Sequence, residues 1–343
     1  MVVMAPSGDI AMQQRDLIVI STVLMLLIII PVIFLTLFFA WRYRRANTAA
    51  TYAPEWHHST RLEIVIWAAP LAIIIALGAV TWISTHKLDP YRPLDRLDAE
   101  RPIPADTKPL TVEVVALDWK WLFFYPELGI ATVNELAAPV DMPINFKITA
   151  SSVMNSFYIP ALAGQIYAMP GMETKLHAVI NKPGEYQGLS ANYSGAGFSH
   201  MRFKFHGLSQ ADYDQWVQKV KSTGTALGRT EYLALAKPSE QEPVRYFNAV
   251  DSGLYEAILN MCADPSKMCM SEMMHIDANG GAGKDSQENR ERLIYDNRGG
   301  DAGDVTPVNA TEPAAHDMHS MPGMDMGNGT SSGSSAPASQ PSK

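Results

Sequence analysis

Two stretches of the chain, residues 17–40 and 64–83, contain no charged residue, and each is long enough as a helix to cross roughly 30 Å of hydrocarbon. The pattern predicts transmembrane helices over residues 17–40 and 63–85. A secretory signal has an apolar run of only about 7–15 residues behind a basic start. The first stretch is longer than that, and Arg15 is balanced by Asp16. Pro31 and Pro70 lie inside the two runs. Membrane helices tolerate proline when neighbouring helices or waters satisfy the freed carbonyls, so both are expected to pack against other helices.

A different pattern follows. Residues 86–109 hold five prolines among alternating charges and read as an extended linker. From residue 110 to 207 come short β-rich runs, "LTVEVVAL", "INFKITA", "TKLHAVI" and "MRFKFHG", punctuated by "MPGM" and "KPGEY". In the last run Met201, Phe203 and Phe205 alternate with Arg202, Lys204 and His206, which gives one buried and one wet face. Such a domain is expected to be a sandwich or Greek-key barrel. Residues 208–275 read as a helical extension, opened by Ser209 as cap with Asp212 three positions on and a face of Trp216, Val217 and Val220, and ending near Gly224. A second helical stretch is expected around residues 253–261. From 276 to 343 Gly, Ser, Asn, Asp and Pro dominate, a composition expected to stay disordered.

Charge orients this plan. Arg42, Arg44, Arg45 and Arg61 between the two apolar runs outweigh the single Arg15 ahead of them, and positive loops stay inside. Residues 41–62 are therefore expected in the cytoplasm, with residues 1–16 and everything beyond the second helix outside. The net charge of −8 falls on the outer domain, which disfavours nucleic acid as a partner. The two cysteines, Cys262 and Cys269, also lie outside, where a disulfide can persist.

The loop "SANYSGAGFSHM", residues 190–201, has the spacing at which a loop can present Cys, Glu, Cys, His and Met to a pair of copper ions. With "RLEIVIWAAP", "DWKWLFFYPELGIATVNE" and "VMNSFYIPALAGQIYAMPGM", it makes the chain resemble subunit II of the haem–copper oxidases, and within them the quinol oxidase branch of cytochrome bo type. The resemblance covers about residues 9–260. It implies a membrane-anchored all-β protein: a hairpin of two transmembrane helices carrying a periplasmic, cupredoxin-like Greek-key sandwich in a bacterial inner membrane. In the cytochrome c oxidase relatives the first copper-binding His falls at Asn155, the cysteines at Ser190 and Ser194, the Glu at Asn192, the second His at Phe198 and the Met at Met201. Thiolates and imidazoles hold such copper, and Met201 alone survives here, so an empty site is expected.

The resemblance further implies a subunit of a proton-translocating quinol oxidase that carries no cofactor and no catalytic centre of its own. The haems, the remaining copper and the quinol site would belong to oxidase subunit I. Other oxidase subunits and membrane lipid would be partners, ubiquinol the donor of the whole complex, and cytochrome c no partner. Many quinol-branch relatives begin with a lipoprotein signal that ends in Cys, and no Cys lies near Met1.

Individual residues divide between bland and functional readings. His200 and Met201, adjacent on an expected strand, should point to opposite faces and not chelate one ion. His177 reads as an ordinary strand residue, and Trp119 with Trp121 as one strand face used for packing or subunit contact. Glu63 either stabilises a helix start through the dipole or, as the pattern "E-x-x-x-W-x-x-P" in this family implies, stands near a proton-uptake path into subunit I. Half of the 18 methionines follow residue 260. In the tail His316, Met318, His319, Met321, Met324 and Met326 form a soft set suited to Cu(I). That set supports a rival reading, a membrane-anchored copper-delivery protein, against the bland one of biased composition.

Overall fold

The computed structural model describes residues 2–51, 53 and 55–278. Helix α1, Asp9–Arg42, and helix α2, Thr60–Lys87, form an antiparallel hairpin with Pro31 and Pro70 inside them. Their apolar side chains are exposed along both spans. Surfaces this apolar on all sides are what lipid or neighbouring membrane helices cover.

Helix α1 begins two turns before the uncharged run because its start is fastened to the β domain. Ser7 and Gly8 donate their backbone N–H groups to Ala161 O, both at 2.9 Å, and Ser7 O accepts from Asn181 N at 2.9 Å. The chain passes so close that a Cβ at Gly8 would lie 2.6 Å from Val179 O and 2.7 Å from Leu162 O. Asp9, buried beside this seam, accepts from Arg96 Nε and Nη2 at 3.0 and 3.1 Å and from Gln13 Nε2 at 2.7 Å. A buried carboxylate persists only when paired in this way.

The expected extended linker is instead a docked strap. Between Lys87 and Leu110 it forms no helix or strand, yet Arg96 holds Asp9, and Arg101 bridges Asp98 at 2.6 Å and Asp141 at 2.8 Å.

The β domain is a sandwich. Its strands are β1 Leu110–Leu117, β2 Lys120–Tyr125, β3 Ile130–Val133, β4 Glu135–Pro139, β5 Pro143–Ala150, β6 Asn155–Tyr158, β7 Ile166–Ala168, β8 Thr174–Val179, β9 Gly184–Ser190, β10 Arg202–Leu208, β11 Thr225–Leu227 and β12 Arg245–Val250. One sheet has the order β11-β12-β3-β2-β1-β5-β8 and the other β4-β10-β9-β6-β7. The pairs β1/β5, β4/β10 and β11/β12 are parallel and the rest antiparallel. The chain changes sheets at Asn134, which takes left-handed backbone (φ 57°), a conformation Asn tolerates. The Asn134 side-chain oxygen accepts from Trp121 N at 2.9 Å.

Between the sheets Trp121, Phe123, Phe146, Phe157 and Phe203 form one aromatic cluster, with Phe157 stacked on Phe203 at 5.4 Å. The other face of β2, Leu122 and Phe124, enters a second core with Leu227, Tyr232, Leu235, Phe247, Leu254 and Ile258. Strand β2 is therefore buried on both faces, which is why "KWLFFY" shows no alternation. Strand β10 does alternate as predicted.

Residues 208–275 are not solely helical, contrary to expectation. Helix α3, Gln210–Thr223, starts at Ser209, whose side chain accepts from Asp212 N at 3.2 Å, and buries Tyr213, Trp216, Val217 and Val220. The helices α4 Arg229–Ala236, α5 Leu254–Leu259 and α6 Met270–Ala278 follow, but β11 and β12 between them extend the larger sheet. Strands this short give too few positions for a period-2 signal. Cys262 and Cys269 form a disulfide.

Helix α3 is tied down by one carboxylate. Glu135 Oε1 accepts from Trp216 Nε1 at 2.7 Å and from Tyr246 OH at 2.9 Å, with His206 Nε2 3.7 Å from Oε2. Burial pushes this carboxyl up, and the facing His206 together with the hydrogen bonds from Trp216 and Tyr246 outweighs it, holding the pKa at about 2 against 4.5 ordinarily. A depressed folded-state pKa contributes stability that is present above the unfolded value and is lost as pH falls through the folded one. The stability gap between wild type and Glu135→Gln is accordingly expected to shrink as pH drops from 4.5 towards 2, and thermal melts across that range check it.

Candidate functional site

The six positions at issue sit at one end of the sandwich. Asn155 opens β6, Ser190 closes β9, and the loop from residue 191 to 201 runs through a 3-10 turn, Ala196–His200, into β10. Both loop ends are held: Ser190 N donates to Met201 O at 3.1 Å and Ala191 N to Ser156 O at 3.0 Å.

The side chains fill the space by bonding to one another and to backbone. Ser190 Oγ donates to Asn155 Oδ1 or to Asn192 O, each at 3.2 Å, and accepts from Ser156 N at 3.4 Å. Asn155 Nδ2 donates to Val153 O at 3.1 Å, and Asn192 Nδ2 to Met154 O at 3.2 Å and Tyr193 O at 3.3 Å. Ser194 Oγ stands 4.0 Å from Met201 Sδ. Asn155, Ser190 and Met201 are buried. Phe198 packs edge-on against Tyr193, ring centroids 5.6 Å apart.

Two carboxamides, two hydroxyls, a phenyl ring and a thioether do not fit a thiolate-bridged copper pair. The side chains of Asn155, Ser190 and Asn192 are instead bound in a neutral hydrogen-bond network, and the Ser194 hydroxyl turns to the Met201 sulfur. Among the described residues no three His, Cys, Asp or Glu side chains gather as a metal cluster.

The structure corrects the expectation that Trp119 and Trp121 share a strand face. Trp119 occupies the β1–β2 turn in left-handed backbone (φ 66°) and lies over the loop, where a Cβ on Gly197 would be 2.5 Å from its ring. Its Nε1 donates to Ser194 O at 3.1 Å. Trp121 points into the aromatic core. Trp119 is thus a lid on the loop. A Trp that runs straight into the six strand residues Lys120–Tyr125 reads as part of the strand, so the sequence does not reveal this role. Nor do His200 and Met201 share a strand: His200 ends the 3-10 turn, exposed, and Met201 follows it, buried. His177 lies in β8, half-buried; burial and nearby Lys175 lower its pKa.

Glu63 stands in the first turn of α2, with Oε1 2.7 Å from His58 Nδ1. Both side chains are about half exposed, and they are far in sequence from the copper-loop positions. His58, which sequence reasoning missed, is the group that faces this acid. His316, Met318, His319, Met321, Met324 and Met326 lie outside the described residues.

Residues 125–207 match the family "Cytochrome C oxidase subunit II, periplasmic domain", and residues 221–266 match the "COX Aromatic Rich Motif". The chain is 54% identical over 255 residues to cytochrome bo(3) ubiquinol oxidase subunit 2 of Pseudomonas putida, covering 74% of this chain and 78% of that one. It is 52% identical over 257 residues to ubiquinol oxidase subunit 2 of Acetobacter aceti, covering 75% and 81%. Quinol oxidase subunit 2 of Bacillus cereus is 40% identical over 240 residues, covering 69% and 78%. Among solved structures, the periplasmic domain of cytochrome oxidase subunit II from Bradyrhizobium japonicum aligns with a TM-score of 0.33 at 23% identity, covering 35% of this chain and 96% of that one. This chain belongs to the ubiquinol oxidase subunit 2 family.

Proposed function

We propose that this chain is the subunit of a proton-translocating ubiquinol oxidase that anchors and braces the complex without carrying a redox centre. The observation that supports the reading is the chemistry of these positions: Asn155, Ser190 and Asn192 bond among themselves and to backbone and Ser194 turns its hydroxyl to the Met201 sulfur, where a copper pair needs thiolates and imidazoles. A quinol dissolved in the membrane can reach a partner subunit directly, so the outer domain needs no relay. In this reading the haems, the copper and the quinol site belong to subunit I. The sandwich and both ends of the hairpin face the periplasm, with the arginine-rich residues 41–62 in the cytoplasm.

What the chain supplies is rigidity. The Gly8 seam and the Asp9–Arg96 pair lock α1 to the sandwich, so that the membrane hairpin and the outer domain present a fixed surface to their partners. Glu63 with His58, at the cytoplasmic end of α2, would pass protons towards subunit I. The rival reading, copper delivery by the tail, rests on residues outside the described part. Identity to ubiquinol oxidase subunits over 255 residues favours the oxidase.

The test is to isolate the complex through this subunit and measure oxygen uptake. Ubiquinol is expected to sustain turnover and reduced cytochrome c to give none above background. Cytochrome c oxidation at a comparable rate would refute the reading.

A further inference from the structure

Helix α5 ends in a paired-bond cap: Cys262 N donates to Ala257 O at 2.8 Å and Met261 N to Ile258 O at 3.0 Å. The residue just past the C-cap in this motif takes left-handed backbone, a place where glycine fits freely. Here it is Met261, at φ 59° and 45% exposed. The chain thus holds a thioether in a conformation that disfavours any side chain, and it does so at the surface, where core packing does not require one. Strain of this kind persists where surrounding structure fixes it, and it clusters at functional sites.

The surrounding structure brings a second thioether to the same point. The Cys262–Cys269 disulfide closes a short loop whose outer neighbours are Met261 and Met270, and Met270 N donates to Asn260 O at 2.9 Å. Both sulfurs stand over Gly171: a Cβ built there would lie 3.0 Å from Met270 Sδ and 3.5 Å from Met261 Sδ. Gly171, itself left-handed at φ 72°, leaves that space open. Met274, four residues after Met270 on α6 and 62% exposed, lies on the same helix face.

We propose that Met261 and Met270, with Met274 as third donor, form a surface site for a soft monovalent cation, Cu(I). Thioethers are soft, uncharged donors that select Cu(I) over hard cations, which require oxygen ligands. The disulfide and the Asn260 bond pre-organise the pair, so binding does not have to order two flexible side chains from scratch. The site lies on folded chain next to the outer domain and is separate from both the copper-loop positions and the tail methionines. It does not depend on which donor feeds the oxidase.

Ag(I), which takes the same ligands and needs no reductant, is the probe. The detergent-solubilised complex is titrated in chloride-free buffer, and bound silver per complex is compared among variants. Wild type and a chain lacking residues 315–343 are expected to bind one more Ag(I) than a Met261→Gly/Met270→Leu double variant, and Met270→Leu alone to weaken that binding at least about tenfold. Met261→Gly relieves the backbone strain, so the double variant should melt no lower than wild type, which separates ligand loss from unfolding. Gly171→Ala, which crowds both sulfurs, should also weaken binding. Equal silver in the double variant, loss of that silver only on deleting residues 315–343, or no bound silver in wild type would each overturn the proposal. Ubiquinol-driven oxygen uptake should be the same in all these variants, so this outcome is independent of the donor test.

Discussion

Replacing Phe157 by Ala is expected to cost about 3–5 kcal/mol, the usual loss when a buried aromatic ring is removed from a core. Phe157 is fully buried on β6 of the smaller sheet and touches rings from three other strands: Trp121 at 5.4 Å, Phe146 at 5.3 Å and Phe203 at 5.4 Å. It bridges the two sheets, and the strands on either side cannot close over the cavity without breaking their ladders. A domain of this size loses about 2–4 °C of melting temperature per kcal/mol, so the outer domain should melt about 6–20 °C lower. The position is also two residues from Asn155, so the copper-loop end of the sandwich should loosen first. Thermal melts of the purified complex, and hydrogen exchange of the backbone amides of residues 190–201, check both statements. Phe157→Leu, which restores most of the volume, should recover part of the loss. An unchanged melting temperature for Phe157→Ala would mean that the two sheets are held together elsewhere.

Glu63→Gln is expected to slow ubiquinol oxidation while leaving assembly and haem content intact, if Glu63 passes protons to subunit I. Gln keeps the shape of the side chain and removes the exchangeable proton. A positioned proton-transfer group typically contributes 10²–10⁴-fold; at the mouth of a path, where neighbouring groups share the task, the expected drop is about tenfold. The drop should deepen in alkaline buffer, where protons are scarce. His58, 2.7 Å from the carboxylate, is positioned to exchange a proton with it, so His58→Ala should slow turnover in the same direction and to a smaller extent. Glu63→Asp, an acid on a shorter arm, should retain most activity. If Glu63 only stabilises the helix start, the Gln variant loses about 0.3–1 kcal/mol of helix stability and turns over normally. Normal turnover of Glu63→Gln at every pH tested would end the proton-uptake role.

Much of this architecture could be read from the chain because its signals are local. The uncharged runs, the alternation in residues 201–207 and the Ser209 cap each depend on neighbours within a few positions, and each is seen in the structure. What sequence reading missed depends on distant contacts. Helix α1 reaches back to Asp9 because Ser7 and Gly8 bond to Ala161 and because Arg96, 87 residues away, pairs with the Asp9 carboxylate. Strands β11 and β12 exist because the edge of β3 offers them partners. Trp119 leaves the strand because its ring fits above two glycines of a loop some 75 residues on. The candidate site shows the same division. The resemblance of residues 190–201 to a copper-binding loop rests on spacing alone and is legible in the chain, whereas the hydrogen bonds that join Asn155, Ser190 and Asn192 are seen only in the folded chain.

The central claim is that the outer domain keeps the sandwich of a copper-carrying subunit and has replaced the metal's ligands with a self-satisfied polar network. It is tested most directly by exposing the complex, isolated through this subunit, to excess copper, removing what is loosely bound, and recording its paramagnetic resonance spectrum. The account predicts no signal from an electron shared between two copper ions, and no difference at this site between wild type and a Ser190→Ala/Ser194→Ala variant. A shared-electron copper signal in wild type that disappears in that variant would contradict it.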